Sequence, residues 1–491
     1  MDPEKIKYLH SRYNPQAEAD RYISSLSLNE TIQFFILIEP GLGYLVAPLK
    51  KKYPSARIIA LHVEDFRCDA PSNEKLCRPD SEWRPGSGCS VQDFLENEIP
   101  DTQAETIKML EWRPALAIYG NSYLSLIEET VSFIKRADAN ARTTKAFGRR
   151  WFKNFLKNTA LTCKVLCPES FYVPMVITGA GPGLEDAIPL IRAFKSEASG
   201  RSKPFILAAS SSLMCLKAED LLPDMVISTD GGNWAALHLY ECCRGSDPLT
   251  GNGLLPIAAP LTAALPSQCG TLPVLPISDG SLWQTLVLNR LGIPFITLPQ
   301  RGTVSASALD LAFALTRGNI YIAGMDLANN DIRSHLRPYS FDRLLEEKAY
   351  RLNPVYSQTF KRSSLLKTGG SYSIYASWFE KQMKSYPKRL FSLGRNNPVF
   401  NSAGSVPPDP SAPRSDGAST LNFRVIAINQ TGRAASDAAG ILEKALMNPE
   451  PTQVSAKLHH ELSDLLFPGK KDVAKKELID AIHSFASRER S

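Results

Sequence analysis

Gly179, Gly181 and Gly183 sit where an apolar run, Val173–Thr178, gives way to a helical pattern with Leu184, Ile188 and Ile191 on one face. Glycines at such a turn let the backbone come close to a ligand with no Cβ in the way. Pro182 suits the first helical turn, where a missing N–H costs nothing. Free N–H groups at a helix start favour an anion, most often a nucleotide phosphate. The spacing Gly179-Ala180-Gly181-Pro182-Gly183 is neither a P-loop nor a full G-x-G-x-x-G, so an ordinary tight strand-to-helix turn is the competing reading. Two carboxylates end later apolar runs: Asp230, in Pro223-Asp-Met-Val-Ile-Ser-Thr-Asp, and Asp326, in Asn319-Ile-Tyr-Ile-Ala-Gly-Met-Asp. Such aspartates can hold Mg²⁺ beside phosphates, orient substrate hydroxyls, or cap the next turn. Thr303 and Ser305 open a small-residue helix after Gly302, where hydroxyls either bind phosphate or cap the helix. Ser210 follows the apolar run Phe205–Ala209. His335 comes shortly after Asp326 and titrates in the range a general base needs; the competing reading is a loop histidine without a catalytic role.

These residues need elements to position them. Between 170 and 328 the chain alternates helical stretches with short apolar runs at Val173–Thr178, Phe205–Ala209, Met225–Ser228, Pro256–Ala259, Val274–Ile277, Phe295–Leu298 and Asn319–Ala323. That alternation predicts a doubly wound, mostly parallel sheet. Ligands of such sheets bind beyond the carboxyl ends of the strands, where all the polar candidates fall. The amino-terminal part repeats the theme. Phe34–Ile38 reads as a strand, Glu39–Tyr44 as a turn with Gly41 and Gly43, Tyr44–Lys52 as a helix and Arg57–Val63 as a second strand. This turn lacks a third glycine, which favours a structural Rossmann-like half over a cofactor pocket. Leu116–Tyr119 reads as a further strand and 68–100 as an insertion or long loop. Arg142, Lys145, Arg149, Arg150, Lys153 and Lys157 line one face of a helical pattern, with Phe147, Trp151 and Phe155 on the other. A solvated helix face explains them; bordering an anionic site is the alternative.

Four segments in order carry a family resemblance: Gly179-Ala-Gly-Pro-Gly with its acidic helix start, Pro223-Asp…Thr229-Asp230, Gly302-Thr-Val-Ser-Ala-Ser-Ala-Leu-Asp-Leu-Ala312 and Ile320-Tyr-Ile-Ala-Gly-Met-Asp-Leu-Ala328. Together they resemble the central domain of bacterial motility accessory factors (Maf), glycosyltransferases that place nonulosonic acids of the pseudaminic or legionaminic type on flagellin. That domain is similar to a 6-hydroxymethylpterin diphosphokinase-like (MptE-like) domain and to bacterial sialyltransferases. The resemblance, carried mainly by 145–345, implies an α/β fold with a nucleotide-binding domain at 166–345 after a Rossmann-like domain at 1–165. Composition and periodicity beyond it read as a helical extension at 346–400, a Pro/Ser-rich linker at 401–420 and a mainly helical region at 421–491. The resemblance also implies a CMP-activated donor, flagellin as partner and no required cofactor, with Mg²⁺ needed only if the diphosphokinase chemistry applies. Nucleotide contacts would come from Gly179, Ala180, Gly181, Pro182, Gly183, Ser210, Asp230, Thr303 and Ser305, and catalysis from His335 and Asp326. Gly183 stands where serine is common in both relatives, so one phosphate-binding hydroxyl is missing. Trp151-Phe-Lys-Asn154…Asn158 resembles the segment leading into the Maf central domain, and Val425–Gly432 a segment near the end of Maf-like chains. A catalytically degenerate flagellin-binding module is the remaining alternative.

Composition narrows the classes further. A formal charge of +6 spread over 491 residues gives no basic stripe of the kind nucleic-acid binders carry. Nine cysteines without a C-x-x-C pair point to reduced thiols, Cys163, Cys167, Cys242 and Cys243 included, rather than a disulfide framework. No apolar run reaches the roughly 18 residues of a membrane span, and Met1-Asp-Pro-Glu-Lys lacks a signal-peptide core. A cytoplasmic protein is expected.

Overall fold

Met175, Val176, Ile177 and Thr178 are all buried, and their side chains divide between two cores. Met175 and Ile177 join one face of the central sheet, Val176 the other. A strand covered on both faces reads as a continuous apolar run, which is why these strands lack alternation. The computed structural model describes residues 9–11, 13–26, 31–65, 76–168, 173–196, 203–243, 255–327, 335–360, 371–386, 389–394, 423–428, 435–448, 453–470 and 472–488. The loop that Thr368-Gly-Gly-Ser371 predicts lies outside these residues as far as Gly370, while Ser371 begins helix Ser371–Ser385; the linker at 401–420 also lies outside them.

The chain divides into two compact units, Met1–Ala146 and Phe147–Ser491. The first is built on four strands, β1 (Phe34–Ile38), β2 (Arg57–Leu61), β3 (Ser81–Trp83) and β4 (Ile107–Glu111), all parallel in the order β3-β2-β1-β4. Two expectations are corrected here. Leu116–Tyr119 is not a strand but the end of a helix, Arg113–Tyr119, and the real fourth strand is β4. A run of four apolar residues cannot by itself separate the two states. The stretch read as a long loop holds β3 and a helix, Val91–Glu98, opened by a capping box in which Ser90 and Asp93 satisfy each other's backbone N–H.

The second unit contains a ten-stranded sheet. Its strands are β5 (Lys164–Pro168), β6 (Met175–Thr178), β7 (Phe205–Ala209), β8 (Met225–Ile227), β9 (Ile257–Pro260), β10 (Pro273–Ser278), β11 (Ile296–Thr297), β12 (Ile320–Ala323), β13 (Leu390–Ser392) and β14 (Phe423–Ala427). They run β13-β12-β6-β7-β8-β9-β10-β5-β14, with β11 also on β10. Only β14 is antiparallel, pairing Phe423 with Pro168 and Ala427 with Lys164. Helix Leu184–Ser196 buries Leu184, Ala187, Ile188 and Ile191 on one face of the sheet. Helix Val304–Leu315 packs against β6 and β7 from the other. The carboxyl-terminal helices Ala435–Leu446, Gln453–Leu466 and Lys475–Ser487 share a core with Phe152, Phe155 and Trp283. The expected α/β class, with a doubly wound central sheet, an amino-terminal α/β unit and a helical carboxyl-terminal region, is what the chain adopts. Among the described residues no helix is long and apolar enough to cross a membrane.

Candidate functional site

The strand order reverses at β6. From β6 the chain winds outward through β7, β8, β9 and β10, then returns by helix Val304–Leu315 to place β12 on the other side of β6. In an open parallel sheet such a reversal leaves a crevice beyond the carboxyl ends of the two strands. The residues beyond β6 and β12 are Gly179–Gly183 and Gly324-Met-Asp326, so the topology brings two of the sequence candidates to one place.

Close contact between these two segments explains the glycines. A Cβ on Gly179 would meet the Gly324 carbonyl, and a Cβ on Gly181 or Gly183 would meet the Asp326 carboxylate. Backbone bonds join them: Gly179 N–H donates to Ala323 O and Gly181 N–H to Gly324 O, both at 2.8 Å. Gly183 N–H donates to Asp326 Oδ2 at 2.7 Å. Asp326 is 7% exposed, and burial pushes its carboxyl above the usual carboxylate range, with the nearby Asp186 adding to the shift. Leu184 and Glu185 N–H groups close the turn onto Gly181 O and Pro182 O. The helix start is therefore already supplied with acid, from Asp326 and from Glu185 and Asp186 in its first turn. A phosphate seated at Gly183 must displace the Asp326 carboxylate or meet it protonated.

His335 lies beside this turn. The next residue, Leu336, donates its N–H to Ala180 O at 2.8 Å. The loop is held further by Cys215, whose Sγ donates to the carbonyls of Leu336 (3.2 Å) and Pro338 (3.1 Å); burial pushes that thiol up to about 12. The His335 ring stacks on Tyr339, with centroids 4.3 Å apart and planes at 16°. Tyr339 also touches His238, a buried histidine of helix Ala236–Cys243, at 5.3 Å. His238 and Tyr339 escaped the sequence reading because a loop and a short helix leave no periodic signal.

The other candidates stand apart. Ser210 is buried one residue past β7, but the hydroxyl that reaches β6 is that of Ser212, 3.0 Å from Thr178 Oγ1. Asp230 is exposed beyond β8 and accepts Gly232 N–H at 2.7 Å, an Asx turn. Thr303 occupies the N-cap of helix Val304–Leu315 without a side-chain capping bond, and Ser305 lies in the first turn. Both are on the sheet face opposite the glycine turn. Tyr375 hydroxyl donates to Gly302 O at 3.0 Å and steadies that start.

The aromatic and asparagine pattern before the sheet has a definite role. Helix Asn121–Leu161 presents Asn154, whose Nδ2 donates to the carbonyls of Gly231 (3.2 Å) and Thr262 (3.0 Å). Asn158 Nδ2 donates to Leu261 O and Ala263 O at 2.8 and 2.9 Å. Trp151 lies so close to Gly231 that a Cβ there would strike its indole. These side chains clamp the loops at the carboxyl ends of β8 and β9. Of the basic residues, Arg149 donates to Leu466 O at 2.6 Å and Lys157 to Leu265 O at 3.4 Å. They serve the clamp as much as any solvated face. A cavity of about 10 Å³ lined by Asn158, Leu161, Leu265 and Cys269 lies beneath it; it has room for about one water, far below a ligand site.

In the first unit the Gly41/Gly43 turn is filled from within. A Cβ on Gly41 would strike His10, and Leu42 N–H donates to His10 Nε2 at 3.0 Å. Glu39 is buried, accepting Val63 N–H at 2.7 Å and facing His62 Nδ1 at 3.2 Å.

Residues 149–250 match the family model described as 6-hydroxymethylpterin diphosphokinase MptE-like, the span from the Trp151 clamp through the glycine turn to Asp230. Two proteins of Treponema pallidum (strain Nichols), both described as uncharacterized, are similar: one 28% identical over 292 residues, 59% of this chain and 60% of that protein, the other 23% identical over 204 residues, 39% and 68%. The chain thus spans about three fifths of the first relative's length. The structure of a Maf glycosyltransferase from Magnetospirillum magneticum AMB-1 aligns over all of this chain and 78% of its own, at 14% identity and a TM-score of 0.46.

Proposed function

We propose that the second unit binds a CMP-activated nonulosonic acid at the crevice beyond β6 and β12, and that the chain transfers the sugar to serine or threonine of flagellin in the cytoplasm. The observation behind this reading is the reversal of strand order at β6, which gathers the glycine turn, Asp326 and the His335 loop at one edge. The ordered motifs, which resemble the Maf central domain, supply the chemistry. The glycine turn takes the donor phosphate, and Thr303 and Ser305, at the start of the other helix, take the donor carboxylate. The acceptor oxygen attacks the anomeric carbon as its bond to the CMP phosphate breaks. His335 takes the hydroxyl proton, and Asp326 adjusts the charge beside the leaving phosphate. A phosphate monoester leaving group needs no metal in this scheme.

The MptE-like match over 149–250 favours a second reading, a Mg²⁺-dependent diphosphokinase-like transfer. There Asp230 and Asp326 would ligate the metal, yet they follow β8 and β12, three strand steps or roughly 14 Å apart, too far for one ion at about 2.1 Å per ligand. The glycine amide already taken by Asp326 favours a third, a degenerate flagellin-binding module. Calorimetric titration with CMP, ATP and GTP, with and without Mg²⁺, separates them. Metal-independent CMP binding is expected; Mg²⁺-dependent ATP binding alone would replace the transferase with the kinase, and no nucleotide binding would leave the module. His335→Ala is expected to bind CMP normally and lose transfer.

A further inference from the structure

Trp234 is 61% exposed although the loop that leads to it is held from several sides. Five separate contacts hold the backbone around it. Asn154 holds the Gly231 carbonyl, the Trp151 indole fills the space a Cβ on Gly231 would need, Asp230 takes the Gly232 N–H, and Ala264 N–H donates to the Asp230 carbonyl at 2.9 Å. Ala235 N–H closes the turn on Gly232 O at 2.9 Å. A large ring presented to solvent from a fixed support loses little conformational entropy when a flat ligand covers it, which is what a stacking site requires. Lys348 Nζ already stands 5.8 Å from the ring centroid, within the range of a cation held over an aromatic face.

Its position fits one part of one ligand class. Trp234 leads into helix Ala236–Cys243, whose Leu239 shares a core with Leu184 and Ile188 of the helix that follows the glycine turn. Trp234 and the glycine turn therefore lie at the same sheet edge, over the same face. The strands beneath them, β6 and β8, are two steps apart, about 10 Å at ordinary strand spacing, comparable to the reach from a nucleotide's phosphate to its base. Asp230, in the same loop as Trp234, carries an exposed carboxylate of the right type for ribose hydroxyls.

We infer that Trp234 is the platform on which the nucleobase of the bound donor stacks. The inference rests on the nucleotide-binding reading above and adds the residue that selects a base over a bare phosphate. Stacking on an aromatic ring contributes about 1–3 kcal/mol per base. The full chain and its Trp234→Ala and Trp234→Phe variants are titrated with CMP and with cytidine, their melting temperatures being checked in parallel. Trp234→Ala is expected to bind both compounds roughly tenfold to a hundredfold more weakly with an unchanged melt, and Trp234→Phe to stay within a few-fold of the original. Unchanged CMP affinity in Trp234→Ala would overturn the platform while leaving the nucleotide reading intact. Failure of the original chain to bind CMP or cytidine would overturn both.

Discussion

At Gly183 a Cβ would meet Asp326 Oδ1, and the aspartate uses that space to accept the Gly183 N–H. A serine there would push the carboxylate away, so the glycine is what lets Asp326 sit against the turn. The folded pKa of Asp326 lies above its ordinary value of 3.8 because burial disfavours the charged form. Ionised Asp326 therefore lowers stability at neutral pH, and that cost shrinks as pH falls through the raised pKa and is gone below 3.8. Asparagine keeps an acceptor for Gly183 N–H without the charge. Asp326→Asn should melt at or above the original protein at pH 7.5, with the difference closing as pH falls below 3.8, whereas Asp326→Ala leaves the N–H unmet and should lose about 1–3 kcal/mol. Equal melting curves for Asp326→Ala and Asp326→Asn would show that the bond contributes nothing.

At the scale of elements, the two units present the same device with different fillings. Each has a glycine turn after the strand where the order reverses, β1 in the first unit and β6 in the second. His10 fills the first turn and Asp326 the second. The turns were legible from glycine spacing and apolar runs, because both are local. Their fillings were not, since His10 precedes its turn by about thirty residues and Asp326 follows its own by more than a hundred. For the same reason the apolar run Phe423–Ile428 predicts a strand, as β14 is, but nothing local names its partner, while Lys164–Pro168 and Ile107–Glu111 lie between stronger signals. The filling by His10 has a pH consequence. Its Nε2 must be unprotonated to accept the Leu42 N–H, and burial lowers its pKa from 6.5 to about 4. Unfolded His10 takes up a proton first as pH falls, so stability should decline between pH 6.5 and about 4, by roughly 3 kcal/mol at the limit. His10→Gln can still accept from Leu42 and does not titrate. Melting at pH 7 and pH 4.5 should show a larger loss for the original chain, and parallel losses would remove His10 as the source.

At the scale of the whole molecule, the sheet edge that carries the candidate site accounts for only part of the chain. Each unit has its own core, in the first from Phe35 to Phe133 and in the second around β6 and the carboxyl-terminal helices. Units with separate cores can carry separate tasks. A small acceptor would need nothing beyond the crevice, whereas a protein acceptor needs surface to hold it in register with the donor. The first unit, its glycine turn already filled by His10, has surface to give and no vacant nucleotide cradle at that turn. Flagellin capture by the full chain and by a variant starting at Asn121, which keeps helix Asn121–Leu161 whole, tests this division. The shortened chain should bind CMP with the affinity of the full protein and retain flagellin at least tenfold less well, an increment of about 1.4 kcal/mol. Equal capture would assign flagellin recognition to the second unit alone, and no capture by either would sink flagellin as the acceptor.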